Sequence, residues 1–414
     1  MWSDEAVLNA KSLSSKVIFL STGQSKEINA FTSRILAIAS GLKARGFECE
    51  RIHLYPNIDL SIVNRYRSKI EFSQLGIKQI KLFDNKVTRR IVLWGNLLYL
   101  IKYVLTIREK NNIIGCYGVP EGIVIGTVIR TVLKRKKILL LYDKSEHPFY
   151  NRNAGMLERL RIYLHLNYVV HHYDSIFVIS EGLREYYSKL LESKRSKATL
   201  SILPILVEPD QFNLKGLQKS TSENNFKDIV YIGTMYGDKD GVYNLIEAFG
   251  LIASEFPDSN LVLVGDNSKK KRMGKINNAI AKIEFPERVV FTGLLSKPEV
   301  AEKISSAYCL ALARPANMQA KYGFPTKLGE YLATGRPVVI TSVGDIPLYL
   351  EDGVNAYISE PGDVNAFAEK LRECFSDREK AEQIGKEGQK LAYGAFHYEK
   401  AVQVIVDELN KNDK

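Results

Sequence analysis

Short β-rich runs alternate with amphipathic helical patterns along most of this sequence, and the alternation occurs twice, interrupted by a polar stretch from Gln211 to Lys227. Before the interruption the runs fall at 16–21, 112–117, 138–142, 175–179 and 199–203, with helical patterns at 28–43, 121–133, 152–172 and 181–190. After it they fall at 229–233, 261–265, 289–293, 308–312 and 337–341. A helix between two strands returns the chain in the same direction, so each half is expected to be a parallel sheet covered by helices. The polar stretch follows Pro204 and Pro209 and shows neither period, which marks it as a linker and puts the boundary near 206. The expected architecture is α/β: two Rossmann-like doubly wound domains, 1–205 and 206–392, and a terminal segment 393–414 with a last helical pattern at 398–409.

A chain of 414 residues, 45% hydrophobic and 25% charged, is long enough for two such cores. Cys49, Cys116, Cys309 and Cys374 are far apart and form no C-x-x-C pair, so neither a disulfide framework nor a zinc site is expected. Residues 1–15 lack the apolar run of a signal peptide, and the apolar stretches elsewhere stop short of the roughly 18 residues that a spanning helix needs, which points to a cytoplasmic protein. The net charge of +11 is uneven: residues 1–205 hold 32 Lys/Arg against 17 Asp/Glu, whereas the remainder holds 26 against 30. That excess suits an acidic partner of the first half, a phosphate-bearing acceptor or an anionic membrane surface; a solubilising surface charge explains it equally well. No nucleic-acid-binding signature accompanies it.

The densest chemistry lies in Lys321-Tyr-Gly-Phe-Pro-Thr-Lys327-Leu-Gly-Glu330-Tyr-Leu-Ala-Thr-Gly335-Arg-Pro337-Val-Val-Ile-Thr341. Pro325 suits the first turn of a helix and Gly335 its exit, so Lys327 and Glu330 stand three apart on one short helix before a buried strand. Such a helix start, with its free N–H groups and a lysine beside it, suits a phosphate, and Glu330 could accept from a ribose diol; a surface ion pair is the bland alternative. Upstream, Tyr231-Ile-Gly233-Thr234-Met-Tyr-Gly-Asp-Lys239-Asp240-Gly241 runs from a strand end through three glycines into a helix at 242–255, where backbone N–H groups can approach a diphosphate and Lys239 can neutralise it. Turns of this kind also merely shape the backbone.

Together these segments, over about 229–412, resemble the nucleotide-sugar domain of glycosyltransferase family 4, a retaining family of GT-B fold. Glu330 matches the second Glu of the family's paired-Glu motif, which contacts the nucleotide ribose. Tyr322 stands where the first Glu is expected, as in a branch carrying Tyr322, Gly323, Phe324, Pro325, Thr326 and Lys327 in its place, and this run is assigned to the donor. Lys239 matches the family's diphosphate lysine, while the neighbouring Arg is replaced by Thr234; Arg314 and Lys327 are the candidates for the missing cation. Phe291-Thr-Gly293-Leu294 matches a segment that holds the base through its backbone, although an ordinary strand exit reads the same. In the first half, His147 of Asp143-Lys-Ser-Glu146-His147 follows a strand, where relatives place a His against the donor sugar, and Thr22, Gly23 and Gln24 follow the first strand.

The resemblance implies two domains facing across a cleft, a terminal helix returning to the first, and retaining transfer of a sugar from a UDP- or GDP-linked donor to an acceptor hydroxyl, without metal or other cofactor. The proton would pass to the leaving phosphate, and His147, Lys239 and Lys327 would serve the reacting centre. A lipid-linked glycan of surface polysaccharide synthesis suits the basic first half as acceptor. A nucleotide-sugar epimerase of the same fold and a non-catalytic nucleotide-sugar-binding scaffold are the alternatives. The segment 89–103, with Arg89, Arg90, Trp94, Lys102 and Tyr103 around an apolar body, reads either as an interfacial helix or as a buried Rossmann helix.

Overall fold

The computed structural model describes residues 16–21, 30–53, 71–74, 111–117, 137–149, 155–212, 227–236, 239–268 and 273–411. The chain divides into two compact units, Met1–Pro204 with Tyr398–Lys414, and Ile205–His397. The divisions fall one residue before the expected 205 and five after the expected 392.

Among its described residues unit 1 holds a parallel sheet of seven strands: β1 Lys16–Ser21, β2 Glu48–His53, β3 Glu71–Gln74, β4 Asn111–Tyr117, β5 Lys137–Lys144, β6 Ser175–Val178 and β7 Thr199–Ile202. Their order is β3-β2-β1-β4-β5-β6-β7. Leu140, Tyr142, Ile176, Phe177 and Val178 are buried in the central strands, as both-face burial of a parallel sheet requires. The helix Ala30–Ala44 covers the sheet with Ile35, Leu36, Ile38, Ala39 and Leu42. On that helix the buried Arg34 donates to both carboxylate oxygens of Asp143, at 2.8 and 2.9 Å, and to the carbonyls of Leu203 and Pro204. Gly41 lets the last segment close on the same helix, because a Cβ there would meet the Tyr398 carbonyl at 2.8 Å. The final helix, Gln403–Lys411, brings Glu408 into the unit, where its Oε2 accepts from Thr199 Oγ1 at 2.8 Å.

Among its described residues unit 2 holds six parallel strands: β8 Lys227–Ile232, β9 Ser259–Val264, β10 Val289–Gly293, β11 Cys309–Leu312, β12 Val338–Thr341 and β13 Tyr357–Ser359. Their order is β10-β9-β8-β11-β12-β13. From β8 the chain builds outward through β9 and β10, then returns to add β11 on the other side of β8. The carboxyl ends of β8 and β11 therefore flank the point where the winding reverses, the place where open α/β sheets bind ligands.

Three strands were not read from the sequence. The β2 sequence Glu-Cys-Glu-Arg-Ile-His carries too few apolar residues to register as a buried run, and β3 and β13 are only four and three residues long. The expected helix 152–172 is three pieces where described: an α-helix Met156–Leu164, a π-turn His165–Val169 and a 3-10 turn Val170–His172. The expected helix 121–133, the segment 89–103 and Thr22, Gly23 and Gln24 lie outside the described residues. Among the described residues no helix is long and apolar enough to cross a membrane.

Candidate active site

The reversal point of unit 2 carries a buried charge cluster. Asp240 accepts from Lys327 Nζ at 2.5 Å and from the Tyr231 hydroxyl at 3.0 Å, with Arg314 Nε 3.5 Å from its other oxygen. Arg314 also donates to the Lys239 carbonyl, which ties the glycine-rich turn to the end of β11. Lys327 Nζ lies 4.6 Å from the centre of the Tyr231 ring and donates to its hydroxyl at 3.3 Å. Burial pushes the Asp240 carboxyl up, but Lys327 and Arg314 outweigh it, with Lys239 adding to their effect, and hold it at about 2. Burial pushes the Lys327 ammonium below the usual lysine range, opposed by Asp240. Three cations surround one carboxylate, so the cluster keeps a positive excess at the sheet edge.

Two expectations for this region change. Gly233 does not offer a free N–H, because its amide continues the sheet by donating to the Val264 carbonyl at 2.9 Å. Its glycine identity has another cause: at φ 146° a Cβ would collide with Lys327 Nζ and the Tyr231 hydroxyl. Lys327, in turn, is held by Asp240 at only 16% side-chain exposure. Thr234, which stands in the place of the family's Arg, is exposed and receives the cluster only through its carbonyl, 3.1 Å from the Tyr231 hydroxyl.

The helix carrying Lys327 and Glu330 runs Lys327–Ala333, so Pro325 precedes the cap residue Thr326 and does not open the first turn. The amides of Leu328 and Gly329 are already engaged by the carbonyls of Pro325 and Thr326. The helix ends as expected, with Gly335 at φ 70°. Leu328, Tyr331 and Leu332 face the core, and the Tyr331 hydroxyl accepts from the Ile232 amide at 2.8 Å, locking this helix to the end of β8. Glu330 is half-buried on the same helix. Burial raises its carboxyl, opposed by the Lys297 and Lys327 ammonium groups. Lys297 opens the helix Lys297–Ser305 just after Gly293 and the exposed Leu294, so the exit of β10 faces the same carboxylate electrostatically.

The run from Tyr322 to Thr326 separates into two roles. Tyr322, half-buried, closes the short helix Met318–Tyr322 and lies under Lys321 Nζ, 5.4 Å from the ring centre. Gly323 and Pro325 are buried, and Thr326 is half-buried. Phe324 points into an aromatic cluster with Tyr349 and Phe396, which makes its side chain core.

In unit 1 His147 is buried. The Phe149 amide donates to its Nδ1 at 3.2 Å, which leaves the proton of the neutral ring on Nε2. Tyr186 packs edge-on against it at 4.6 Å, and burial, with Lys144 nearby, lowers its basicity. Lys144 at the end of β5 is itself shifted down by burial, against Glu146 and Asp143. Unit 1 thus presents a neutral imidazole, while the cation cluster belongs wholly to unit 2.

Sequence reasoning missed Asp240, Tyr231 and Lys297. An Asp after Lys239 has no signature of its own, and its partner Lys327 is 87 residues away. Among the described residues no group of three metal-binding side chains stands together.

Residues 226–377 match the family described as Glycosyl transferases group 1. The capsular polysaccharide biosynthesis glycosyltransferase CapM of Staphylococcus aureus is 24% identical over 352 residues, 80% of this chain and 86% of that one. N-acetyl-alpha-D-glucosaminyl L-malate synthase of Bacillus anthracis is 28% identical over 176 residues, so the matched segment spans only 42% of this chain and 43% of the relative. The crystal structure of Anabaena Alr3699/HepE in complex with UDP and glucose superposes with a TM-score of 0.70 at 15% identity, covering 95% of this chain and 99% of that one. That likeness extends through both units and gives the fold as GT-B. Residues 226–377 are a glycosyl transferases group 1 domain, and the chain that carries them is a glycosyltransferase.

Proposed function

We propose that this chain transfers a sugar, with retention, from a UDP- or GDP-linked donor to an acceptor hydroxyl, and that unit 2 holds the donor. The observation that carries this reading is the Lys327–Asp240–Arg314 cluster beside Lys239 at the reversal point of the sheet, with Glu330 one helical turn from Lys327. As the bond between the anomeric carbon and the diphosphate breaks, negative charge grows on the leaving oxygens. Lys327, Arg314 and Lys239 meet that charge in a site of low polarity, where fixed cations are worth most, and they do so without a metal ion. The acceptor oxygen forms the new bond on the same face, and its proton passes to the departing phosphate, so no protein base is required. His147 of unit 1 keeps its proton on Nε2 and is a hydrogen-bond donor suited to a sugar hydroxyl.

Glu330 accepts from the ribose diol, and the exit of β10 at Gly293 and Leu294 borders the base. The structural neighbour crystallised with UDP and glucose favours a uridine nucleotide, and the relative named for capsular polysaccharide biosynthesis favours a lipid-linked glycan as acceptor, reached at a membrane face by the basic first half. The test is calorimetric titration of UDP and GDP into the wild type and Glu330→Ala. Micromolar binding of one nucleotide, lost in the variant, is expected; equal binding by both proteins would overturn the ribose assignment. Nucleotide release only when an acceptor is supplied separates a transferase from an epimerase or a silent scaffold.

A further inference from the structure

Exposed large hydrophobic side chains are scattered in unit 2, at Leu251, Val290, Leu294, Leu348 and Val354. In the described part of unit 1 they are not scattered: Phe149, Met156, Leu160, Tyr163, Leu164 and Tyr168 all fall within one stretch of chain. Single exposed apolar residues need no explanation, whereas a contiguous patch does.

Apart from Phe149, these residues lie on the helix Met156–Leu164 and the π-turn that continues it. At about 100° per residue, Met156, Leu160, Tyr163 and Leu164 occupy an arc of roughly 100°, and Tyr168 follows one turn beyond Leu164. Leu166 and Val170 anchor the helical run in the core, and Met156, at 87% exposure, stands furthest out. The exposed Arg159 and Arg161 flank the arc on its two sides, and Glu158 points away from it. A second basic group adjoins the same face: Lys194 Nζ donates to Asn167 Oδ1 at 3.0 Å, which sets the exposed Lys194, Arg195 and Lys197 beside the far end of the stripe.

From this surface we infer that unit 1 docks onto an anionic lipid bilayer, with Met156, Leu160, Tyr163, Leu164 and Tyr168 entering the interface and Lys194, Arg195 and Lys197 meeting the headgroups. Charge selects this occupant. A protein partner or a second copy would be expected to cover an apolar stripe with apolar surface, whereas a rim of cations beside an apolar strip with two tyrosines fits headgroups over acyl chains. The inference extends the membrane reading above from an overall charge to a named surface, and it stands apart from the donor site in unit 2.

The test is co-sedimentation of the full chain with vesicles of phosphatidylcholine alone or mixed with phosphatidylglycerol. Binding to the mixed vesicles, weak on phosphatidylcholine, is expected. The double variant Leu160→Glu with Tyr163→Glu should lower it about tenfold, and Lys194→Gln with Lys197→Gln should remove most of its salt dependence near 0.15 M. Leu251→Glu on unit 2 should change nothing. UDP titration and circular dichroism on the same preparations separate this result from misfolding and from failure of the donor assignment. Absence of binding to mixed vesicles, or binding indifferent to the stripe variant, overturns the inference. So does light scattering that shows a wild-type dimer dissociated by Leu160→Glu with Tyr163→Glu, since the stripe would then join two copies.

Discussion

Asp240 Oδ2 lies 2.5 Å from Lys327 Nζ, so the lysine proposed to meet the donor diphosphate is held by a carboxylate of the protein itself. The pair fixes Lys327 against the Tyr231 ring, so the proposed donor phosphate would enter a cluster whose cations are already oriented. Asp240→Asn should cost about 3 kcal/mol at neutral pH, because it leaves buried cations uncompensated. Urea denaturation measures the loss, and added pyrophosphate should restore more stability to the variant than to the wild type.

The same pair predicts an acid response. The Asp240 carboxyl is held at about 2, below its ordinary value of 3.8, so its contribution is complete above about pH 4 and is lost as the pH falls through 2. That contribution amounts to about 2 kcal/mol. The stability gap between wild type and Asp240→Asn should therefore narrow between pH 4 and pH 2 in thermal melts, and a constant gap would exclude Asp240 as the titrating group.

Glu330 titrates in the opposite sense. Burial raises its carboxyl from 4.5, so the ionised form proposed to accept from the ribose diol is depleted at a pH where an ordinary glutamate is still charged. Nucleotide affinity should fall as the pH is lowered toward that raised value. In Glu330→Gln, affinity should be weaker at neutral pH and this part of the pH dependence should be absent, which calorimetry at several pH values would show.

Gly233→Ala places a methyl group against Lys327 Nζ and the Tyr231 hydroxyl at a φ that other residues rarely adopt. A stability loss of about 1–3 kcal/mol is expected, together with loss of nucleotide binding as Lys327 is displaced. Retained micromolar binding in the folded variant would show that Lys327 can move without consequence.

Tyr331→Phe removes the hydroxyl that accepts from the buried Ile232 amide and should cost about 1–3 kcal/mol. Hydrogen exchange at Ile232 is the direct readout, since faster exchange there, with the rest of β8 unchanged, localises the effect to the junction between helix and strand.

The alternation of apolar runs and helical periods carried most of the fold, because strands buried on both faces must be continuously apolar whatever their neighbours are. The charged β2 and the three-residue β13 escaped that rule, since their strand state depends on pairing with β1 and β12 rather than on their own composition. Within the candidate site Lys327 and Glu330 stood out because they share one short helix. Asp240 did not, because a counter-ion is defined by what lies across from it, and 87 residues separate it from Lys327. For the same reason the Arg34–Asp143 pair, 109 residues apart, left no pattern to read.

Unit 1 is completed by Tyr398–Lys414, whose Glu408 accepts from Thr199 and Ser175, while unit 2 is one unbroken stretch. On the ribosome, then, unit 2 is the first to have its whole sequence available, and unit 1 waits with its sheet begun until the final helix emerges. A released chain truncated after residue 397 should already resist protease across 239–268 and 273–397, whereas protection of 155–204 should need Tyr398–Lys411.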